Sequence, residues 1–555
     1  MMKSILRKDT FSSITLRKIM FILIIVGILL RIWVFFYSEA GLDATYFIIL
    51  GKSISGRGDF YLPFGDIETD SLEPTQGTSS RQVFPVYLAM FYTPFGFDYN
   101  VTKIAVTVLS FLTLLVVYLT TKNLFGRDNA LVVTAIVSVI STLIYTTGFV
   151  YSENITYLFL TIGLWGLLKG DKFFPVGIIS ISIFYISKSY SLILYIVFVC
   201  LFYSWVYYKE KRNILGKHYI FGIIATIPFI FLLFLSRAYG SYPATRTNIL
   251  DALTGNPVYF FSRYMVLLIF MFVYLLGFAI YFYKPLRSSF SSKNLLWMVV
   301  AALFFGLPFM MAYQDYVYQV YERFIKEGLR AVFFITLPIL WLAVPNTNYD
   351  LDEKLKFKEI WNEFKKVREH RKNIGLYACV AVAIGLGILI IPRLWFLFPI
   401  CIGFISLFFN ITKWKIAILC IMLVVVSIND NTGMHFSYRR ELGEDMNDLL
   451  EDGDVIMFDG IDFIKSHNGS RFDRYCLAPY VKKEYRIINY DSNETPDFII
   501  TQNNEISFQN YSIIRRYYVQ DKKGVFTQIY NEIYKAIKHP PELQKEPEYI
   551  VWGRE

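Results

Sequence analysis

Apolar runs of about 16–20 residues recur along this chain, and the short connections between them carry much of its lysine and arginine. A run of that length covers the hydrocarbon core of a bilayer as one helix. Window length gives about thirteen such runs, at 19–37, 101–120, 130–149, 154–168, 174–187, 191–207, 219–236, 265–283, 295–312, 331–345, 375–391, 395–410 and 415–428. The composition agrees: 55% of residues are hydrophobic and only 18% are charged, against about 25% charged in an ordinary soluble domain. The fold class read from this pattern is a polytopic α-helical membrane protein.

Charge supplies a direction. With the N-terminus cytoplasmic, every even-numbered connection is internal. Those connections hold Lys122 and Arg127; Lys169 and Lys172; Lys209, Lys211, Arg212 and Lys217; Lys284, Arg287 and Lys293; and Lys413 and Lys415. The largest, 346–374, carries eight basic residues from Lys354 to Lys372. The long segment 38–100 has only Lys52, Arg57, Arg81 among its basic residues and faces outward on this reading. The net charge of +10 is thereby assigned to topology rather than to nucleic-acid binding. Basic residues from Lys3 to Lys18 precede the first run, Arg31 interrupts it, and no small-residue cleavage site follows. It reads as a retained membrane helix rather than a cleaved signal.

Two stretches are not ordinary loops. The external segment 38–100 contains Gly-rich turns at Ser55-Gly56-Arg57-Gly58 and an apolar run, 84–92, with Pro85 near its start. That run is too short to span and is expected to lie as a helix in the interface. From about 430 the composition turns polar. Runs at 454–458, 485–490, 497–500 and 511–514 are β-rich, and 441–450 and 526–537 read as helices. The expected division is a membrane domain, 1–429, and a small extracytoplasmic α/β domain, 430–555.

Other chemistry is thinly represented. The five cysteines form no CxxC pair and the five histidines lack metal-ligand spacing, which disfavours a disulfide framework and a His-based metal site. A carboxylate-held divalent cation stays open. Gly51-Lys52-Ser53 echoes the end of a phosphate loop, but Tyr46 stands where its first glycine is required. Asn468-Gly469-Ser470 and Asn493-Glu494-Thr495 are acceptor sequons on the outward tail.

Four features, taken in order and with consistent sidedness, resemble the GT-C superfamily of polyprenyl-phosphate-sugar-dependent glycosyltransferases. The resemblance is to the branch with protein O-mannosyltransferases and lipid A aminoarabinose transferases. Asp43 follows the first membrane helix, with Tyr46 and then Gly56-Arg57-Gly58-Asp59-Phe60-Tyr61. The Pro-containing run 84–92 leads to Phe95-Gly96. Lys122-Asn123-Leu124-Phe125-Gly126-Arg127 makes the turn after the second run, and Tyr151-Ser152-Glu153 lies at the external end of the third. Together they cover roughly residues 19–200, with a looser match at Arg323-Phe324 and Arg330. Family members often carry Asp-Glu at the first motif. Here it is Asp43-Ala44, which leaves a second acidic role to Glu39 or Glu153.

The resemblance implies transfer of a sugar from a polyprenyl- or dolichyl-phosphate donor to a protein, lipid or glycan acceptor on the outer face, with inversion. No cofactor is indicated. Asp43 is the candidate base; as a purely structural residue it would cap a helix after Gly41. Glu153 would orient the acceptor or a basic residue, or else cap the following helix. Cations are needed to hold the departing phosphate, and the external candidates are Lys188, Arg330, Arg323 and Arg81, with Arg237, Arg246, Arg263 and Arg393 unranked. Lys188 as a structural residue would be an interfacial snorkelling lysine. Tyr46 and Tyr151 are weak candidates for lining a sugar, because aromatics are everywhere in a chain with 41 Tyr and 51 Phe. Two other classes compete. A transporter or lipid flippase would place ionisable groups deep in its spans, where Arg31 is the main one. A non-catalytic assembly factor would tolerate loss of Asp43.

Overall fold

A computed structural model describes residues 14–62 (apart from 39 and 41), 75–76, 83–188, 216–239, 283–289, 334–355 (apart from 348 and 353), 438–459, 477–488, 494–501, 510–517 and 549–554. Single helical positions are also described at 203, between 257 and 306, and between 423 and 428, as is residue 508.

The first apolar run forms α1, Leu16–Tyr37, opened by Thr15, whose hydroxyl accepts from the Lys18 N–H at 3.4 Å. Leu16, Met20, Leu23, Gly27, Leu30, Arg31 and Val34 recur at three- and four-residue spacing and are buried. The opposite face, with Phe21, Ile25, Leu29, Trp33 and Phe36, is exposed and equally apolar. A soluble helix carries polar residues there; an apolar outer face belongs against lipid.

After the corner at 38–41 the chain forms α2, Leu42–Arg57, and later α3, Val83–Phe95. The Gly-rich stretch expected as a turn is helical through Gly56 and ends only at Gly58, whose φ of +76° a side chain would resist. Gly51 faces Tyr92 and Leu88 so closely that a Cβ would sit 3.0–3.1 Å from their side chains, so α2 and α3 pack tightly. Met90, Val86 and Phe95 stay exposed on α3, as an interfacial helix requires.

Asp98 caps α4, Tyr99–Phe125, by accepting from the Asn100 N–H at 2.7 Å. Gly126, at φ +90°, ends it. The third run, expected as one span, is two helices: α5, Arg127–Ser138, and α6, Ser141–Gly148, bent by 56°. Next come α7, Glu153–Lys169, and α8, Phe174–Lys188, a hairpin closed at Gly163, Gly166 and Gly177. Then follow α9, Lys217–Tyr239, and the helix α10, Phe334–Asn346. Among the described residues two helices, α1 and α4, are long and apolar enough to cross a membrane, or three spans if α5 and α6 count as one. Nearly all of the expected spans 191–207, 375–391 and 395–410, and most of 265–283, 295–312 and 415–428, lie outside the described residues.

Near the C-terminus, α11, Tyr438–Leu449, precedes a five-stranded sheet of β1 (Val455–Asp459), β2 (Arg486–Ile488), β3 (Phe498–Thr501), β4 (Tyr511–Tyr517) and β5 (Tyr549–Arg554). The order is β2-β1-β3-β5-β4, with β2, β1 and β3 mutually parallel and β5 antiparallel to both neighbours. β5 had no sequence expectation, and the expected helix at 526–537 lies outside the described residues. Ile49 and Leu50 of α2 share one core with Leu442 and Met446 of α11 and with Ile456, Ile500 and Val551 of the sheet. α2 and the C-terminal unit are therefore packed around a common apolar centre.

Two ends of the bundle are defined by polar contacts. At one, Arg17 pairs with Asp128 (3.2 Å) and Asp352 (2.7 Å), and the Tyr349 hydroxyl donates to Asn129 at 2.6 Å. This joins the start of α1 to the 126–129 turn and the 349–352 segment, all expected on the internal side. The C-terminal unit sits at the other end, where α1 finishes.

Candidate active site

The site lies where α1 ends and α2 begins. Ser38 closes α1, its N–H bonded to the Val34 carbonyl at 3.1 Å. Its hydroxyl also donates to the Gly148 carbonyl, the last of α6, at 2.6 Å. The ammonium of Lys103, on the second turn of α4, reaches into the same place. It donates to Val34 O at 3.0 Å, to Gly148 O at 2.7 Å and to the Ser38 hydroxyl, with Ser38 O at 3.4 Å. Two helix C-termini, whose last carbonyls carry partial negative charge, are closed by one cation. Lys103 is 1% exposed.

Each closed corner feeds a helix that begins with a candidate acid. Asp43 is the second residue of α2; its side chain lies outside the described part. Glu153 is the first residue of α7 and is 1% exposed. No side-chain cap is made by Ser152, so the carboxylate occupies the positive end of the helix dipole. Val150, between α6 and α7, has a φ of +61°. A buried β-branched residue there is strained, and such strain persists only where the surroundings hold it. Ala40 and Ala44 pack in one apolar cluster with Val150, Ile155 and Tyr99, so the two helix starts flank the same cluster.

Other candidates fall at this end. The antiparallel approaches of Gly163 to Ile181 and Gly166 to Gly177 place Lys188, the last residue of α8, opposite the first turn of α7. Its side chain lies outside the described part. Tyr46 is half-buried, one turn beyond Asp43, and packs edge-on to Phe47 at 5.9 Å. Tyr151 is buried and stacks on Phe149 at 6.1 Å. Arg81, Arg323 and Arg330 lie outside the described residues, as do Glu39, Arg246, Arg263 and Arg393; Arg237 is placed only by its backbone in α9.

The C-terminal unit is fastened beside the corner. Tyr480 accepts the Ala40 N–H on its hydroxyl at 3.0 Å and meets the Tyr99 ring edge-on at 4.6 Å. Arg440 lies 5.6 Å from the centre of the same Tyr99 ring and donates to Phe36 O at 3.3 Å. Lys482 pairs with Asp98 at 2.6 Å, and Lys52 donates to Lys482 O at 3.2 Å. Partial burial pushes the Asp98 carboxyl up, but the Lys482 ammonium and the Asn100 N–H outweigh it and hold it below the usual range. Burial lowers the Lys52 ammonium from its ordinary value.

Sequence reasoning overlooked Lys103, although a lone lysine inside the 101–120 run was itself a signal. It gave Arg31 only as the main ionisable group that a transporter would place deep in a span. Arg31 is 0% exposed and donates to Ser138 O at 2.6 Å, Gly27 O at 2.8 Å and the Ser110 hydroxyl at 2.8 Å. It thus closes the carbonyl end of α5 at the bend, as Lys103 closes α1 and α6. Both buried cations terminate helices. Among the described residues no His, Cys, Asp and Glu cluster has the makings of a metal site.

No family profile and no curated protein sequence matches the chain. Solved structures do. The crystal structure of ArnT from Cupriavidus metallidurans bound to undecaprenyl phosphate is similar over 96% of this chain and 97% of that one, with a TM-score of 0.50 at 10% identity. Its apo form gives 0.46 at 11%, over 95% and 97%. The Archaeoglobus fulgidus oligosaccharyltransferase in the apo form gives 0.38 at 15%, over 88% of this chain and 62% of that one. The first of these likenesses shows that the fold is of the GT-C type, as the sequence resemblance implied.

Proposed function

We propose that this chain is an integral-membrane, inverting glycosyltransferase. It moves a sugar from a polyprenyl-phosphate donor to an acceptor hydroxyl at the end of the bundle where α1 meets α2. The observation that carries this reading is the meeting of two acid-bearing helix starts, Asp43 on α2 and Glu153 on α7, around corners closed by Lys103. The fold is similar to that of a protein crystallised with undecaprenyl phosphate.

In the proposed step Asp43 takes the proton of the acceptor hydroxyl. The acceptor oxygen forms a bond to the anomeric carbon from the face opposite the phosphate. The bond from that carbon to the phosphate oxygen breaks, and polyprenyl phosphate leaves with both electrons. Glu153 orients the acceptor or a basic group. Lys188, with Arg81, Arg323 and Arg330, holds the phosphate as its charge develops. Tyr46 and Tyr151 line the sugar. Lys103 is not among the phosphate ligands, because four protein oxygens already surround its three protons. The positive-inside pattern puts the N-terminus in the cytoplasm and the reaction outside. The 13-helix count and the division at 429/430 belong to this reading as well.

The test is release of undecaprenyl phosphate from a panel of undecaprenyl-phosphate sugars, with and without protein, lipid and glycan acceptors, by the purified chain and by Asp43→Asn. Turnover lost in the variant while undecaprenyl phosphate still binds supports the assignment. Turnover unchanged in Asp43→Asn removes Asp43 as base, and no turnover or binding across the panel removes the transferase reading.

A further inference from the structure

We infer that Lys103 is a positioning residue: a single buried ammonium sets the two corners from which both acid-bearing helices start. The inference rests on the transferase reading for its catalytic consequence, but its geometric half stands without it.

The argument begins with spacing. Asp43 follows Ser38 by five residues, and Glu153 follows Gly148 by five. Ser38 and Gly148 are the points at which α1 and α6 stop, and they are hydrogen-bonded to each other through the Ser38 hydroxyl. Lys103 donates to both and to Val34 one turn back. A short chain leaving a fixed point reaches a limited set of positions. Fixing Ser38 against Gly148 therefore fixes the start of α2 relative to the start of α7. The corner from Gly148 to Glu153 has little slack of its own, because Val150 is held at positive φ and the Tyr151 N–H returns to Thr146 O at 2.9 Å.

A neutral residue does not do this work. The carbonyls that converge here are the terminal ones of two helices, so their dipoles repel one another across the corner. The Ser38 hydroxyl has one proton to share between these carbonyls, whereas a lysine brings positive charge and three donors to one point. Tyr99, one turn before Lys103 on α4, adds its ring face at 5.9 Å and its hydroxyl to Ser38 O at 3.4 Å. The same ring touches Tyr480 and Arg440 of the C-terminal unit.

Three variants of the full chain in detergent test it: Lys103→Met, Lys103→Arg and the milder Ser38→Ala. Hydrogen exchange needs no substrate. In Lys103→Met it should speed up at least tenfold over 38–45 and 148–155 and stay unchanged in the sheet. Exchange unchanged at both corners, or raised evenly through the chain, overturns the inference. For turnover, Lys103→Met should lower kcat about a hundredfold with donor KM within about threefold, since a displacement of about 1 Å costs that much. Lys103→Arg should recover at least tenfold of the loss. A raised KM at unchanged kcat would instead make Lys103 a donor ligand and overturn the inference. If Lys103→Met does not fold, Ser38→Ala carries the same measurements with smaller shifts. If the wild-type chain turns over no donor, the transferase reading fails while the exchange result still decides the geometry.

Discussion

Replacing Gly27 by alanine places a Cβ 2.4 Å from the Ser138 carbonyl oxygen and 2.8 Å from its carbonyl carbon. These are backbone atoms at the α5–α6 bend, so no flexible side-chain end can swing away. Relieving the clash to an ordinary 3.4 Å requires α1 and the bend to separate by about 1 Å. That separation acts directly on the Arg31 contacts, because the same Ser138 oxygen accepts from Arg31 at 2.6 Å. Overpacking of this kind costs about 1–3 kcal/mol, and a weakened charge-assisted bond at a buried helix end adds about 1 kcal/mol. We expect a total of about 3 kcal/mol, or roughly 6–12 °C of apparent unfolding temperature at about 2–4 °C per kcal/mol. Such unfolding is read as a loss of monodisperse protein after heating, since it need not be reversible. The control is Gly56→Ala, in α2, where an added Cβ meets nothing within 4 Å. There helix propensity alone acts, and the change should be neutral or stabilising by about 0.5–1 kcal/mol. Equal midpoints for the two variants would refute the packing of α1 on the bend.

Further outcomes are expected at the clamp between the bundle and the C-terminal unit. Tyr480→Phe removes the acceptor of the Ala40 N–H and leaves that buried donor unpaired; it should cost about 1–3 kcal/mol, read as earlier proteolytic release of the C-terminal unit. The Asp98–Lys482 pair should loosen with acid: a carboxyl held below its unfolded value stabilises the fold above that value. The stability is lost as pH falls below about 4 through the folded value. Protease sensitivity of the unit measured from pH 6 to pH 3 should rise over the lower part of that window, and Asp98→Asn should remove the dependence.

How much of this was legible in the sequence varies with the physics involved. Solvent-scale patterning depends on each residue's own transfer energy, and among the described residues it agrees with the structure at α1 and α4, both long and apolar enough to cross a membrane. The helix at 84–92 and the four strand-like runs of the tail were readable for the same reason, since local period and turn residues mark them. The order of motifs around Asp43 and Glu153 was enough to imply a GT-C fold.

The bend in the third run could not be read, because neither Val139 nor Ile140, which separate the two helices, is a proline or a glycine. It exists because Arg31 and Gly27 of α1 meet the Ser138 carbonyl across space. The same holds for Lys103, which looks like a stray charge in a membrane run until two helix ends converge on it. It holds for β5, whose partners β3 and β4 lie more than thirty residues away in sequence, and for Ile49 and Leu50, whose core lies in the C-terminal unit. Sequence alone marked the apolar runs that form α1 and α4, because transfer energy is a property of each segment. Where helices stop, bend and present their acids is set by carbonyls, cations and close contacts from distant parts of the chain, and only the tertiary structure brings those together.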